Sequence, residues 1–134
     1  MAKSLEDRVR AANDAILGKG DLEVVDEVFS ADYVAHIGGK DFRGTGFVRR
    51  FAGQLRKALP NLGVVKVEVL MQHGDTIAWQ RTLRGTHEAD LKGLPPSGKR
   101  VTWTDMVVSR FEGGKIVEEW AVSDLAGQMF AKLG

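Results

Sequence analysis

Two carboxylates, Asp105 and Glu119, are the residues of this sequence best suited to chemistry. Each sits in an alternating stretch, Val101 to Phe111 and Ile116 to Ser123, where side chains two apart share a face. In a mostly apolar pocket two such groups repel and lose hydration, so one keeps its proton to higher pH. A carboxylate of that kind is a usable general base beside a carbonyl. Enolate-forming chemistry needs only that base and a donor to the oxygen. A second reading stands beside this one: Asp105 is neutralised by an arginine, Arg81 being the candidate, and Glu119 reaches solvent. His36, His73 and His87 are scattered, with neither H-x-H nor H-x-x-E-H spacing, so no metal site is expected. His73 reads as a solvated turn residue and His87 as a stabiliser of the loop that follows it. Trp103 is the first candidate for an aromatic wall, and Trp79 reads as core packing.

The elements that position these groups can be read from spacing. Ser4 caps a first helix whose apolar face is Leu5, Val9, Ala12 and Ile16, stopped by Gly18 and Gly20. Asp21 starts a short second helix with Leu22, Val25, Val28 and Phe29 on its apolar side. Tyr33 to Ile37 is extended and ends at Gly38-Gly39. Thr45 caps a third helix running to about Leu59, with Phe47, Phe51, Leu55 and Leu59 as its buried stripe. Arg49, Arg50, Arg56 and Lys57 read as its solvated face. After Pro60 the period changes to two: Val65 to Gln72, then Thr76 to about His87, Val101 to Phe111, and Ile116 to Ser123. Gly93-Leu-Pro-Pro-Ser-Gly98 is a loop, because two prolines cannot sit inside a ladder. Asp124 caps a last short helix carrying Leu125, Met129 and Phe130. Helices followed by hairpin-linked strands predict one α+β domain over residues 1–134. Its curved antiparallel sheet forms a cone-shaped barrel, with three N-terminal helices packed on the concave face and a pocket between.

The hairpin at Gly113-Gly114 decides which side chains share a face. A two-residue loop opposes Glu112 and Lys115, and places Asp105 beside Trp120 and Val122. A three-residue loop, Glu112 to Gly114, opposes Phe111 and Lys115 and is preferred, because it segregates the chemistry. One face is then Trp103, Asp105, Val107 and Ser109 with Val117, Glu119, Ala121 and Ser123, and Asp105 lies directly opposite Ala121. The other is Thr104, Met106, Val108 and Arg110 with Ile116, Glu118, Trp120 and Val122, large and apolar apart from the Arg110–Glu118 pair. If helices cover the first face, a second copy of the chain covers the other; in the alternative the helices cover the second face and the first is plain solvent surface.

Composition narrows the class. The chain has 134 residues, 43% hydrophobic and 28% charged, enough for one core without staples. It has no cysteine, which excludes disulfides and thiolate chemistry. Nineteen Lys and Arg against 18 Asp and Glu give a net charge of +1, which argues against nucleic-acid or membrane-surface partners. No apolar run approaches a membrane helix, no h-region marks a signal peptide, and no glycine-rich loop supports nucleotide binding. A cytoplasmic location is the expectation.

Several stretches together resemble the SnoaL-like polyketide cyclase family. They are Asp32-Tyr-Val-Ala-His36, Ala58-Leu-Pro-Asn-Leu62, Arg84-Gly-Thr-His87, Gly93 to Lys99, Arg110 to Trp120, and Asp124 to Gly134. The resemblance implies the cone-shaped fold shared with nuclear transport factor 2, scytalone dehydratase and ketosteroid isomerase, and a homodimer joined through the sheets. The large apolar face read from the register, with Met106, Val108, Trp120 and Val122, is the expected interface. The family's cyclases close a polyketide ring by intramolecular aldol condensation without metal or cofactor, using a buried Asp and a cavity His. Those two positions fall on Ala121 and Val107 here, and a polar cavity neighbour falls on Asp105. Asp124 matches an acidic family position and reads as a helix cap. His36 lies on the segment that borders the pocket mouth in this fold, where it either donates to a substrate oxygen or packs at the surface. The expected catalytic set is Asp105, Glu119 and His36. Trp103, Val107, Ala121, Tyr33 and Phe51 are expected to contact a small apolar molecule. The two functional readings are a cofactor-free cyclase, isomerase or dehydratase acting on a carbonyl compound, and a non-catalytic ligand-binding or association module.

Overall fold

The computed structural model describes residues 3–133, so Gly134 of the last family stretch lies outside the described residues. The first helix, α1 (Leu5–Asn13), continues without a break into a π-helical turn over Asp14–Gly18. Ser4 caps it, its Oγ accepting the Asp7 N–H at 3.0 Å. A single turn, α2 (Val25–Val28), leads into β1 (Phe29–Ile37) and β2 (Lys40–Arg43). Helix α3 (Thr45–Ala58) follows, then β3 (Gly63–His73), β4 (Thr76–Thr86), β5 (Arg100–Glu112), β6 (Lys115–Ser123) and α4 (Leu125–Ala131).

The fold is α+β, as expected: a curved, unclosed six-stranded sheet with the helices on one face. The strand order is β2-β1-β6-β5-β4-β3, and the sheet is antiparallel except where β1 runs parallel to β6. Bulges in β3 and β6 interrupt the ladder, and such insertions bend and twist the strands that carry them. The inward residues of β4 and β5, among them Ile77, Trp79, Leu83, Val101 and Trp103, are buried against Val9, Ile16, Leu17, Leu55 and Leu59. Gly85 lets α3 end tightly on β4: a Cβ there would lie 2.9 Å from Leu59 Cβ. Among the described residues no helix is long and apolar enough to cross a membrane.

Four local expectations are corrected. The buried side of α3 is Val48, Ala52, Leu55 and Ala58, continued by Leu59, while Phe47 and Phe51 are only half-buried. Thr45 is the first helical residue rather than the cap, which is Gly44 at φ 88°. Arg56 is not on a solvated face, because it folds back to donate to the Leu17 and Gly18 carbonyls that end the π turn. Asp124 makes no side-chain cap on α4, because its carboxylate accepts the Thr104 N–H at 2.8 Å.

The preferred three-residue hairpin is also corrected. Glu112 pairs with Lys115 across Gly113-Gly114, whose φ values of 58° and 81° suit a two-residue turn of the I′ kind. Between Phe111–Ile116 and Arg110–Glu118 the extra residue Val117 is bulged, and this single insertion restores the face expected for Asp105. Asp105, Val107 and Ser109 therefore share the concave face with Glu119, Ala121 and Ser123. Ile116 rather than Val117 is buried beneath the turn. Asp105 stands opposite Ser123, and it is Val107 that opposes Ala121.

Candidate active site

A cavity of about 140 Å³ lies between the concave face and the helices α1 and α3, the scale of one aromatic ring. Strand alternation supplies one wall, with Tyr33, Ala35 and Ile37 from β1 and Trp103, Asp105 and Val107 from β5. Glu119 and Ala121 of β6 continue it, and Phe47 and Phe51 of α3 close over it. All five residues expected to contact a ligand therefore line this cavity: Trp103, Val107, Ala121, Tyr33 and Phe51. Partly exposed Ile37, Phe47 and Leu125 with exposed Ser123 mark its mouth.

Asp105 and Glu119 both line the cavity, but they are not a coupled dyad. Ser109, not Asp105, is the β5 residue opposite Glu119. Asp105 is held by Arg81, its direct neighbour on β4, whose Nε–H donates to Oδ2 at 2.8 Å. A terminal amino group of Arg81 also donates to Asn13 Oδ1 at 2.8 Å, and Asn13 Nδ2 donates to the Val9 carbonyl. Asp105 is thus the neutralised residue of the second sequence reading. Asn13 was missed there, although a polar side chain beside an apolar helical stripe is the visible signal.

Glu119 has different company. Tyr33 donates its phenol O–H to Oε1 at 2.7 Å, and Ser109 donates its hydroxyl to Oε2 at 2.5 Å. Ser109 is itself fixed by the Trp79 indole N–H at 2.9 Å. Burial pushes the Glu119 carboxyl above the usual carboxylate range, against the opposing pull of Ser109, Tyr33 and the Arg81 charge. Tyr33 is pushed up as well, first by burial and then by the Glu119 charge, which keeps it a proton donor. A carboxylate held by two donors in an apolar cavity is equipped to accept a proton from carbon.

The expectation that His36 serves this site is corrected. Tyr33, Ala35 and Ile37 line the cavity, so the alternation of β1 turns His36 to the other face of the sheet. There Nδ1 meets Asp41 Oδ1 at 2.7 Å and Nε2 meets Glu118 Oε2 at 2.6 Å, with the ring stacked on Trp120. These contacts, the Glu118 hydrogen bond first, raise the His36 pKa. Arg110 donates to the same Glu118 carboxylate. His87 is fully buried, and its backbone bonds to Lys99 and Gly98 close the loop between β4 and β5. Among the described residues no three His, Asp or Glu side chains gather as metal ligands.

The sequence model described as SnoaL-like polyketide cyclase matches residues 7–131. A search of curated proteins finds no match. Among solved structures, IdmH of Streptomyces antibioticus, a candidate polyketide cyclase, is 29% identical with a TM-score of 0.76, covering 96% of this chain and 97% of its own. AclR of Streptomyces galilaeus, a candidate hydroxylase, is 27% identical with a TM-score of 0.78, covering 98% of both chains. A candidate SnoaL-like polyketide cyclase from Jannaschia sp. CCS1 has a TM-score of 0.84 at 24% identity, over 100% of this chain and 98% of that one, and shows the shared fold.

Proposed function

The chain belongs to the SnoaL-like polyketide cyclase family, and from that premise we propose that it is a cofactor-free acid–base enzyme acting on a small apolar carbonyl compound, with Glu119 as its base. The observation that carries this reading is the Glu119 carboxyl, raised by burial and held in the cavity by Tyr33 and Ser109. Proton removal beside a carbonyl is the step common to cyclisation, isomerisation and dehydration of such compounds. Asp105 is excluded as the base in this reading by its ion pair with Arg81, and His36 by its place on the far face. The reading is tested with acetophenone and cyclohexanone in heavy water, by following deuterium entry at the carbon beside the carbonyl. Wild-type protein should accelerate exchange over buffer.

The second reading, a ligand-binding module without catalysis, is favoured by one specific observation. The family's Asp and His positions are Ala121 and Val107, which face each other as two apolar cavity residues. Ketones that bind without exchange would select it.

The outer face of the sheet belongs to the same proposal. Met106, Trp120 and Val122 are 47%, 42% and 65% exposed and lie together with Val108 across β5 and β6. A second copy of the chain covers this face in a homodimer. A cytoplasmic location completes the reading.

A further inference from the structure

Arg81 holds hydrogen-bonding capacity that its structural contacts leave unused. A guanidinium has five N–H donors in a fixed fork. Nε–H goes to Asp105 and Nη1 to Asn13. Nη2 makes no hydrogen bond among the described residues, and it is not one of the orphaned polar atoms sealed from solvent, which are both His87 ring nitrogens and Asp105 Oδ1. Arg81 lines the cavity, and Nη2 is the end of its guanidinium that no protein group among the described residues occupies. Beside the cavity, Tyr33 and Ser109 donate to Glu119, and Asn13 donates to Val9. The Trp103 indole N–H also makes no hydrogen bond among the described residues, and Trp103 lines the cavity two residues from Asp105.

The guanidinium is fixed before any ligand arrives. Its two contacts hold the plane, and its carbon lies 5.4 Å from the centre of the Trp79 ring and 6.0 Å from that of Phe51. The same Trp79 indole points its N–H at Ser109, which donates to Glu119. One aromatic ring therefore runs from the guanidinium to the carboxylate's own hydrogen-bond chain.

We propose that Arg81 is the electrophile of this cavity, binding the carbonyl oxygen of a neutral, enolisable ketone or aldehyde through its free Nη2 amino group while the acidic carbon meets Glu119. This rests on the reading of Glu119 as the base. The C–H bond breaks, its proton goes to a Glu119 oxygen, and its electron pair forms the new C=C bond. The carbonyl π pair moves to the oxygen, which becomes an enolate beside Arg81. The negative charge has moved from Glu119 to the oxygen, and no oxidant or reductant is required. A ligand that arrives already anionic meets the Glu119 charge as well as Arg81, so the ground-state ligand is neutral.

Para-nitrophenolate, an enolate mimic, and its neutral analogue para-nitrotoluene test this by titration into the full chain. In Glu119→Gln, which mimics the protonated base, phenolate should bind about tenfold or more tighter than in wild type, with nitrotoluene unchanged. Adding Arg81→Gln should remove that gain and leave nitrotoluene binding in place. Should this variant not fold, Glu119→Gln with Arg81→Gln and Asp105→Asn removes both charges of the buried pair and serves the same comparison. Phenolate binding that does not tighten in Glu119→Gln, or that stays tight without Arg81, overturns the proposal. Ketone exchange that depends on Glu119, without Arg81-dependent phenolate binding, sinks this inference alone. Arg81-dependent phenolate binding without exchange sinks the enzyme reading and with it the electrophile role, leaving Arg81 as an anion-binding group only.

Discussion

Arg81 and Asp105 face each other across β4 and β5, joined by an Nε–H to Oδ2 hydrogen bond of 2.8 Å, with side chains only 15% and 6% exposed. A pair this enclosed is neutral as a unit, and breaking it strands one charge. Arg81→Met should therefore cost about 3 kcal/mol in denaturant unfolding. Arg81→Met with Asp105→Leu should recover most of that loss. A double variant as unstable as the single one would contradict this account of the pair.

Tyr33 tunes the base. Its O–H is one of two donors to Glu119, and both oppose the rise caused by burial. Tyr33→Phe removes that donor, so the Glu119 pKa should climb further and the ionised fraction at neutral pH should fall. Ketone exchange at neutral pH should drop by about tenfold, and the rising limb of the pH–rate profile should move to higher pH. An unmoved profile would separate Tyr33 from the base.

His36 supplies a pH dependence of stability with a defined sign. Its folded pKa is raised by Glu118 first and Asp41 second. Its contribution is therefore fully present below the unfolded value of about 6.5 and is lost as pH rises through the higher folded value. The His36 ring should titrate above the ordinary histidine range by NMR, and Glu118→Gln should lower that midpoint. A wild-type midpoint at or below the ordinary value would contradict the hydrogen-bonded arrangement.

Trp120 tests the proposed assembly. Trp120→Glu puts a charge on the exposed outer face beside Val108. Light scattering at micromolar concentration should show a dimer for wild type and monomer or aggregate for the variant. A monomeric wild type would overturn the dimer.

The change of period after Pro60 and the glycine and proline punctuation made the helices and the four later strands legible from sequence, while the short strand β2 was missed because four residues carry no readable period. The parallel pairing of β1 with β6 was not, because it joins segments far apart in the chain without a local signal. The bulge at Val117 was equally silent: a single extra residue carries no compositional mark, yet it converts the disfavoured two-residue turn into the expected face. Asp105 and Glu119 were visible as inward carboxylates. Their partners were harder, since Tyr33 lies 86 residues from Glu119 and Asn13 lies 68 from Arg81. Only the pairing of adjacent strands, which puts Arg81 beside Asp105, was within reach of the alternation. The misplacement of His36 was avoidable, because Tyr33 and His36 have opposite parity on one strand.

The central claim is that Glu119 removes a proton from carbon, and the most direct measurement is deuterium entry into acetophenone and cyclohexanone in heavy water. Wild type and Glu119→Gln are compared at equal ligand occupancy, established by titration. Glutamine keeps the size of the side chain and can accept from Tyr33, but it cannot take the proton. Wild type should exchange the hydrogens beside the carbonyl faster than buffer, increasingly so as pH rises through the raised Glu119 value. Glu119→Gln should lose at least about a hundredfold of that rate while binding the ketone within about tenfold of wild type. Exchange that persists in Glu119→Gln, or that is absent from wild type with ketone bound, would contradict the account.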